Sequence, residues 1–259
     1  MAKPDRNTLA SSYKPPYHHQ DMDPTAAQIV KLEAHASHLL DEFIKLREKY
    51  ALLAPMLFNE EVVRARGSYK QNRGFKILRQ SLFLSCAQDI AKLCFDKHDA
   101  TPSILKIVSA VQSEQLRNEL REKFAKCISP SVEEETDPQI LEALASFDAW
   151  EESQLRSQFE ALCVELMESW TTLSNSEAAK GFLTIRDKVS AHAEVRLRVD
   201  QYKPIDISEL GIKWKDIAVT LDSMQRLVEV IGLIVRNAGF AWDSLHFNLS
   251  NAAKEFWEP

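Results

Sequence analysis

Residues 137–192 read DPQILEALASFDAWEESQLRSQFEALCVELMESWTTLSNSEAAKGFLTIRDKVSAH, and this stretch decides the fold. Asp137-Pro138 supplies an N-cap followed by proline at the first helical position, where the missing N–H would have had no helical partner anyway. Behind it Ile140, Leu144, Phe147, Leu155, Phe159, Leu162, Leu166 and Leu173 recur at helical spacing, one apolar stripe running over many turns. Ser174-Asn175-Ser176-Glu177 then has capping-box spacing and starts a further helix, with Phe182, Ile185, Val189, Ala193 and Leu197 on one face. Tyr202-Lys203-Pro204 ends it.

The same start signal recurs to either side. Asp23-Pro24 opens a long amphipathic helix carrying Ile29, Leu32, Ala36, Leu39, Phe43, Leu46 and Tyr50, which Pro55 kinks or ends. Gly67 and Gly74 bracket a polar break, after which Phe75, Leu78, Leu82, Cys86, Ile90 and Leu93 trace a helix that is apolar nearly all round and therefore expected to be deeply buried. Thr101-Pro102 starts a helix with Ile104, Val108, Val111, Leu116, Leu120 and Phe124, and an acidic connector, Glu133 to Asp137, follows it. After a loop, Ile217, Leu221, Met224, Val228, Ile231 and Val235 build a last long helix led by Trp214 and closed near Gly239, and a short segment with Trp242 and Trp257 packs back on the bundle. Only 6 glycines and little period-two alternation argue against sheets and barrels, and the expected fold class is all-α. Residues 1–23 read as a flexible tail and residues 24–259 as one helical domain.

Composition narrows the function. A net charge of −6 leaves no global electrostatic footprint for nucleic acid, so any such binding needs a local basic patch. The first residues lack an apolar signal-peptide core, and no stretch approaches the roughly 20 apolar residues of a membrane span, so a soluble, cytoplasmic protein without membrane contact is expected. Cys86, Cys94, Cys127 and Cys163 lie far apart inside apolar patterns and read as reduced core thiols. His35 and His38, three apart on the first helix, have no further ligand placed by spacing, so no metal is expected. Neither a P-loop nor a dinucleotide fingerprint nor a nucleophile elbow is present, and no cofactor is expected.

The chemistry-bearing run is Arg186-Asp187-Lys188-Val189-Ser190-Ala191-His192. A permanently charged guanidinium precedes the one side chain that titrates near neutral pH. Such a pair suits phosphodiester cleavage without a metal. Histidine can take the proton of a ribose 2′-hydroxyl or return one to the leaving oxygen, while arginine holds the phosphate and offsets its developing charge. The spacing alone arises about once by chance in a chain of this composition, so specificity comes from its setting: the end of an amphipathic helix, a proline loop, then a long helix led by Trp214.

In that setting the sequence resembles the HEPN superfamily, whose hallmark is Arg, a polar residue, three to five further positions, and His; Asp187 fills the polar position. Within it the run, the proline loop and the tryptophan-led last helix are similar to the abortive-infection type U family, over roughly Trp170 to Gly239. The resemblance implies a HEPN-like bundle, its motif-bearing part about 138–240, with additional N-terminal helices. It further implies a metal-independent endoribonuclease of a toxin or phage-defence system, with a composite site at a homodimer interface, RNA as substrate and an antitoxin or regulatory protein as a further partner. Some members carry a tyrosine two residues after the histidine, where a nucleotidyltransferase modifies it; Glu194 stands there, so that regulation is not expected. The alternative is an inactive HEPN-like interaction or nucleotide-binding module. On an ideal α-helix Arg186 and His192 are about 9 Å and about 240° apart and do not stack like an i, i+4 pair, whereas a two-fold axis that sets two such helices antiparallel can bring the arginine of one copy towards the histidine of its mate.

Arg186, His192 and Asp187 are thus the candidate catalytic residues, with Lys188, Ser190 and Arg196 as phosphate contacts. A second basic stretch, Arg64, Arg66, Lys70, Arg73, Lys76 and Arg79 with Tyr69 interleaved, has no acidic residue between Glu61 and Asp89; it reads either as a solvated loop and helix start or as a groove for RNA backbone with Tyr69 as a stacking platform.

Overall fold

The computed structural model describes residues 23–66, 69–126, 137–190, 195–198, 201–204 and 210–258, with the backbone alone at 190, 195–198 and 201–204. Helices dominate: α1 (Pro24–Phe58), α2 (Glu60–Arg64), α3 (Tyr69–Phe95), α4 (Ile104–Val111), α5 (Glu114–Ala125), α6 (Pro138–Asn175) and α7 (Glu177–Thr184). A π-helical turn (Ile185–Ser190), a hairpin of β1 (Val195–Arg198) and β2 (Gln201–Pro204), then α8 (Trp214–Arg236) and α9 (Trp242–Trp257) complete the order. The all-α class holds, and the hairpin is the departure from it. Val195 and Leu197 alternate with Arg196 and Arg198, and this period-two pattern prevails over the helical reading that carried the preceding helix to Leu197.

One continuous core joins the long helices. Leu39, Phe43 and Leu46 of α1 face Ile217, Leu221, Met224 and Val228 of α8, all essentially without exposure. Each such side chain contributes about 1.5–3 kcal/mol of burial free energy. α1 also packs on α3 and α9, α6 lies along α5 and α8, and α3 carries α7 and the π turn. Trp242 closes the C-terminal end with its ring edge-on to Phe43 at 5.8 Å. The Trp257 Nε1–H donates to the Leu52 carbonyl at 3.0 Å, so α9 does pack back on α1.

Several boundaries move for identifiable reasons. α1 runs through Pro55 and ends one turn later, since proline forfeits a single helical bond there. α3 begins at Tyr69, so Gly74 lies inside the helix rather than in a break, while Gly67 is outside the described residues. Ser103, not Thr101, caps α4: its Oγ accepts from the Lys106 N–H at 3.4 Å and donates to the Asp96 carbonyl at 2.7 Å. The helix expected onward from Thr101 is broken at Gln112-Ser113 into α4 and α5. Ser176, two residues after the expected cap, starts α7, its Oγ accepting from the Ala179 N–H at 3.1 Å. Asn237 closes α8 with φ +50°, two residues before Gly239.

The apolar stripes are covered unevenly. The C-terminal half of α3 is buried through Phe83, Cys86, Ile90 and Cys94, but Ile77 and Leu78 are exposed, so the deep burial expected for the whole helix applies to half of it. On α6, Phe159, Leu166 and Leu173 enter the core while Ile140, Leu144 and Phe147 stay bare. Cys86, Cys94 and Cys163 are free and buried; Cys127 lies outside the described residues. Burial pushes the Cys86 thiol up to about 12 and the Cys163 thiol up to about 11, and raises Cys94 as well.

Candidate functional site

α7 and the π turn position the motif. Ala179, Gly181, Phe182 and Ile185 are buried, which fixes the rotation of the segment against the core. Gly181 permits this approach without a shift of Ile212: a Cβ there would sit 2.6 Å from Ile212 Cδ1 and 2.7 Å from Ile212 Cγ1, in the segment leading to α8. From Ile185 the backbone winds as a π turn, with bonds to the fifth rather than the fourth residue back. Ideal α-helical rise and rotation therefore do not describe Ile185–Ser190. Turns of this kind recur at functional sites, where the extra residue re-aims a side chain.

Arg186 lies against α3. Its Nη1–H donates to the Ala91 carbonyl at 3.4 Å and its Nε–H to Asp187 Oδ1 at 2.7 Å. The arginine side chain remains 31% exposed and the aspartate half-exposed. Asp187 orients the guanidinium, and the Ala91 carbonyl anchors it on a rigid helix. Lys188 and Val189 are half-buried beside it. His192 lies outside the described residues, so the structure brings Arg186 to Asp187 and is silent on the histidine. The backbone of Ser190 ends the π turn, and Arg196 stands on β1 opposite Lys203.

The described residues of the second basic stretch have different neighbours. Arg64 pairs with Glu60 at 2.5 Å on α2. Arg66 stacks over the rings of Phe75 and Trp257 at 5.8 and 5.0 Å, with its Nε buried and unpartnered among the described residues. Arg79 covers the ring of Trp214 at 5.6 Å, and that ring meets Phe83 edge-on at 4.7 Å. Tyr69, Lys70, Arg73 and Lys76 remain exposed on the first turns of α3. The expected assignment thus splits: Arg66 and Arg79 tie helices together, and four residues keep a free face.

Sequence reasoning missed the Ala91 carbonyl, the π turn and Gly181. The first is backbone and leaves no residue signature; the second has no local sequence rule. Gly181, inside an amphipathic helix, was the one available hint, since glycine mid-helix costs about 1 kcal/mol and needs a packing reason. Among the described residues no group of three His, Cys, Asp or Glu side chains is placed to hold a metal ion. His35 titrates below its ordinary value, chiefly from burial and then from the charges of Lys106 and Lys31.

A HEPN-superfamily model, described as AbiU2, matches residues 29–256, and the chain belongs to that family. The match extends from α1 into α9, beyond the stretch from Trp170 to Gly239 that carries the resemblance in sequence. No curated protein and no solved structure matches the chain. Among the described residues no helix is long and apolar enough to cross a membrane.

Proposed function

We propose that this chain is a metal-independent endoribonuclease of a toxin or phage-defence system, working in the cytoplasm as a homodimer whose composite site pairs Arg186 of one copy with His192 of the other. The supporting observation is the setting of Arg186. Of its five N–H donors, the two bonds to Asp187 and Ala91 use two, leaving three without a bond among the described residues on a side chain that is still partly exposed. An arginine so anchored is preorganised for a phosphate. His192 serves as general acid–base for the 2′-hydroxyl and the leaving oxygen, Asp187 orients Arg186, and Lys188, Ser190 and Arg196 contact neighbouring phosphates. Family membership supports a role in abortive infection, with an antitoxin or regulatory protein as partner.

The same two bonds favour a second reading, in which Arg186 ties the π turn to α3 within an inactive interaction or nucleotide-binding module. Incubating wild type, Arg186→Ala and His192→Ala with total RNA in EDTA separates the two. The nuclease reading expects cutting by wild type and a loss on the order of 10²-fold or more in each variant. Three equally inert proteins that remain folded and dimeric would favour the interaction module.

A further inference from the structure

Two helices run past the core with oppositely charged faces that carry bare apolar side chains. On α6, Ile140, Leu144, Phe147 and Glu151 share a face at i, i+4, i+7 and i+11 with Asp148 at its edge, the two acidic side chains half-buried, and Trp150 flanks it with its ring 5.8 Å from that of Phe147. Phe147 is 57% and Trp150 58% exposed. From Asp137 to Leu155 this helix start carries acidic residues and not one lysine or arginine. On α3, Tyr69, Arg73, Lys76 and Ile77 share a face in the same way, and no acidic residue occurs before Asp89. Tyr69 is 84% and Ile77 57% exposed. Within one chain α3 and α6 meet at their far ends, where Phe95 packs on Trp170, and neither bare face covers the other.

We infer that these faces bind each other between two copies of this chain: the acidic, aromatic start of α6 docks on the basic start of α3 of its mate, and a two-fold axis repeats the contact. The charges are complementary, each face presents apolar side chains to the other, and a surface pair of this kind is satisfied twice in a closed dimer. Exposed aromatic clusters of this type mark interaction sites. RNA would account for Arg73 and Lys76 but not for Ile77 or for the bare stripe on α6. The inference rests on the homodimer of the proposed function but not on its nuclease activity. It places the partner's α6 along the helix whose Ala91 carbonyl holds Arg186.

Charge exchange tests it. Arg73→Glu/Lys76→Glu and Asp148→Lys/Glu151→Lys are made separately and together in the full chain, and the dimer constant is measured by sedimentation, with circular dichroism melts to confirm folding. Each reversal alone is expected to weaken the dimer about tenfold or more, and the fourfold variant to restore most of the loss, because the exchanged charges again attract. Phe147→Ala/Trp150→Ala should weaken it at least as much. A wild-type dimer that both reversals leave intact overturns this interface while the dimer reading stands, and loss of RNA binding in Arg73→Glu/Lys76→Glu without a change in dimerisation assigns the face to RNA instead. A monomeric wild type that still cuts RNA overturns the interface and the composite site together. Species that keep growing with concentration overturn the closed two-fold arrangement.

Discussion

Replacing Arg47 by alanine is expected to cost about 1–3 kcal/mol of unfolding free energy, and replacing it by methionine less than half of that. Arg47 is 8% exposed on α1, lies 5.4 Å from the Phe43 ring, and uses one nitrogen, Nη2, to donate to the Leu221 carbonyl at 3.0 Å, Asp222 Oδ1 at 2.9 Å and Gln225 Oε1 at 2.8 Å. It is the polar link between α1 and α8. The Asp222 side chain is 71% exposed, so it returns to water when the arginine is removed, and the ion pair contributes at most about 1 kcal/mol. The stem contributes more: alanine removes two buried methylenes, Cγ and Cδ, at about 0.8 kcal/mol each, plus about 0.5–2 kcal/mol from the cation over Phe43. Against this, Arg47 Nε is buried without a partner among the described residues, a group whose desolvation costs about 1–3 kcal/mol and disappears in either variant. Methionine keeps the packing and removes that penalty, whereas alanine loses the packing. Urea unfolding at constant m-value reads the difference. If methionine is as costly as alanine, or Asp222→Asn alone exceeds about 2 kcal/mol, the polar bonds dominate and the reasoning is refuted.

Gly181→Ala should destabilise, because crowding against Ile212 costs about 1–3 kcal/mol and exceeds the roughly 1 kcal/mol gained in helix propensity. Adding Ile212→Ala should recover part of that loss, and strictly additive losses in chemical denaturation would contradict the contact. Ser103→Ala should cost about 1–2 kcal/mol, since Ser103 is fully buried and its hydroxyl both caps α4 and binds the Asp96 carbonyl; a change below about 0.5 kcal/mol would show the cap to be dispensable. The Cys86 thiol, raised from 9.0 to about 12, favours folding fully below pH 9, and that contribution declines as pH rises towards 12 because the unfolded chain ionises first. Between pH 8 and pH 10 the wild type should therefore lose about 1 kcal/mol more than Cys86→Ala in reducing buffer, and equal losses would place the thiol in water.

The helices and most of the core were legible because their signals are local and periodic. Asp137 caps α6 as its sequence suggests, its carboxylate accepting from the Gln139 N–H at 2.9 Å, and Phe159, Leu166 and Leu173 of its stripe are buried. Where boundaries shifted, tertiary partners chose between neighbouring candidates. Thr101 and Ser103 are both capping residues, and the Asp96 carbonyl selects Ser103. Periodicity marks an apolar face but not what covers it, so Ile140 and Phe147 looked like the core residues that continue their stripe. Likewise a run of arginines reads as one surface until packing separates it, and Arg66 goes to Phe75 and Trp257 because those rings lie within reach. At the motif, residue types and spacing were readable, while the π turn and the support of Arg186 by a carbonyl from another helix are properties of the folded chain.

The central claim, that Arg186 and His192 act across two copies, is tested most directly by mixing two inactive proteins. Arg186→Ala and His192→Ala are purified separately, combined, allowed to exchange subunits, and assayed for RNA cleavage in EDTA. A mixed dimer holds one intact pair, the arginine of the His192→Ala copy beside the histidine of the Arg186→Ala copy. Random exchange should then restore about a quarter of the wild-type sites, hence about a quarter of its rate. Mixed dimers that form, as shown by differently tagged copies, yet stay as inactive as either parent would contradict the composite site.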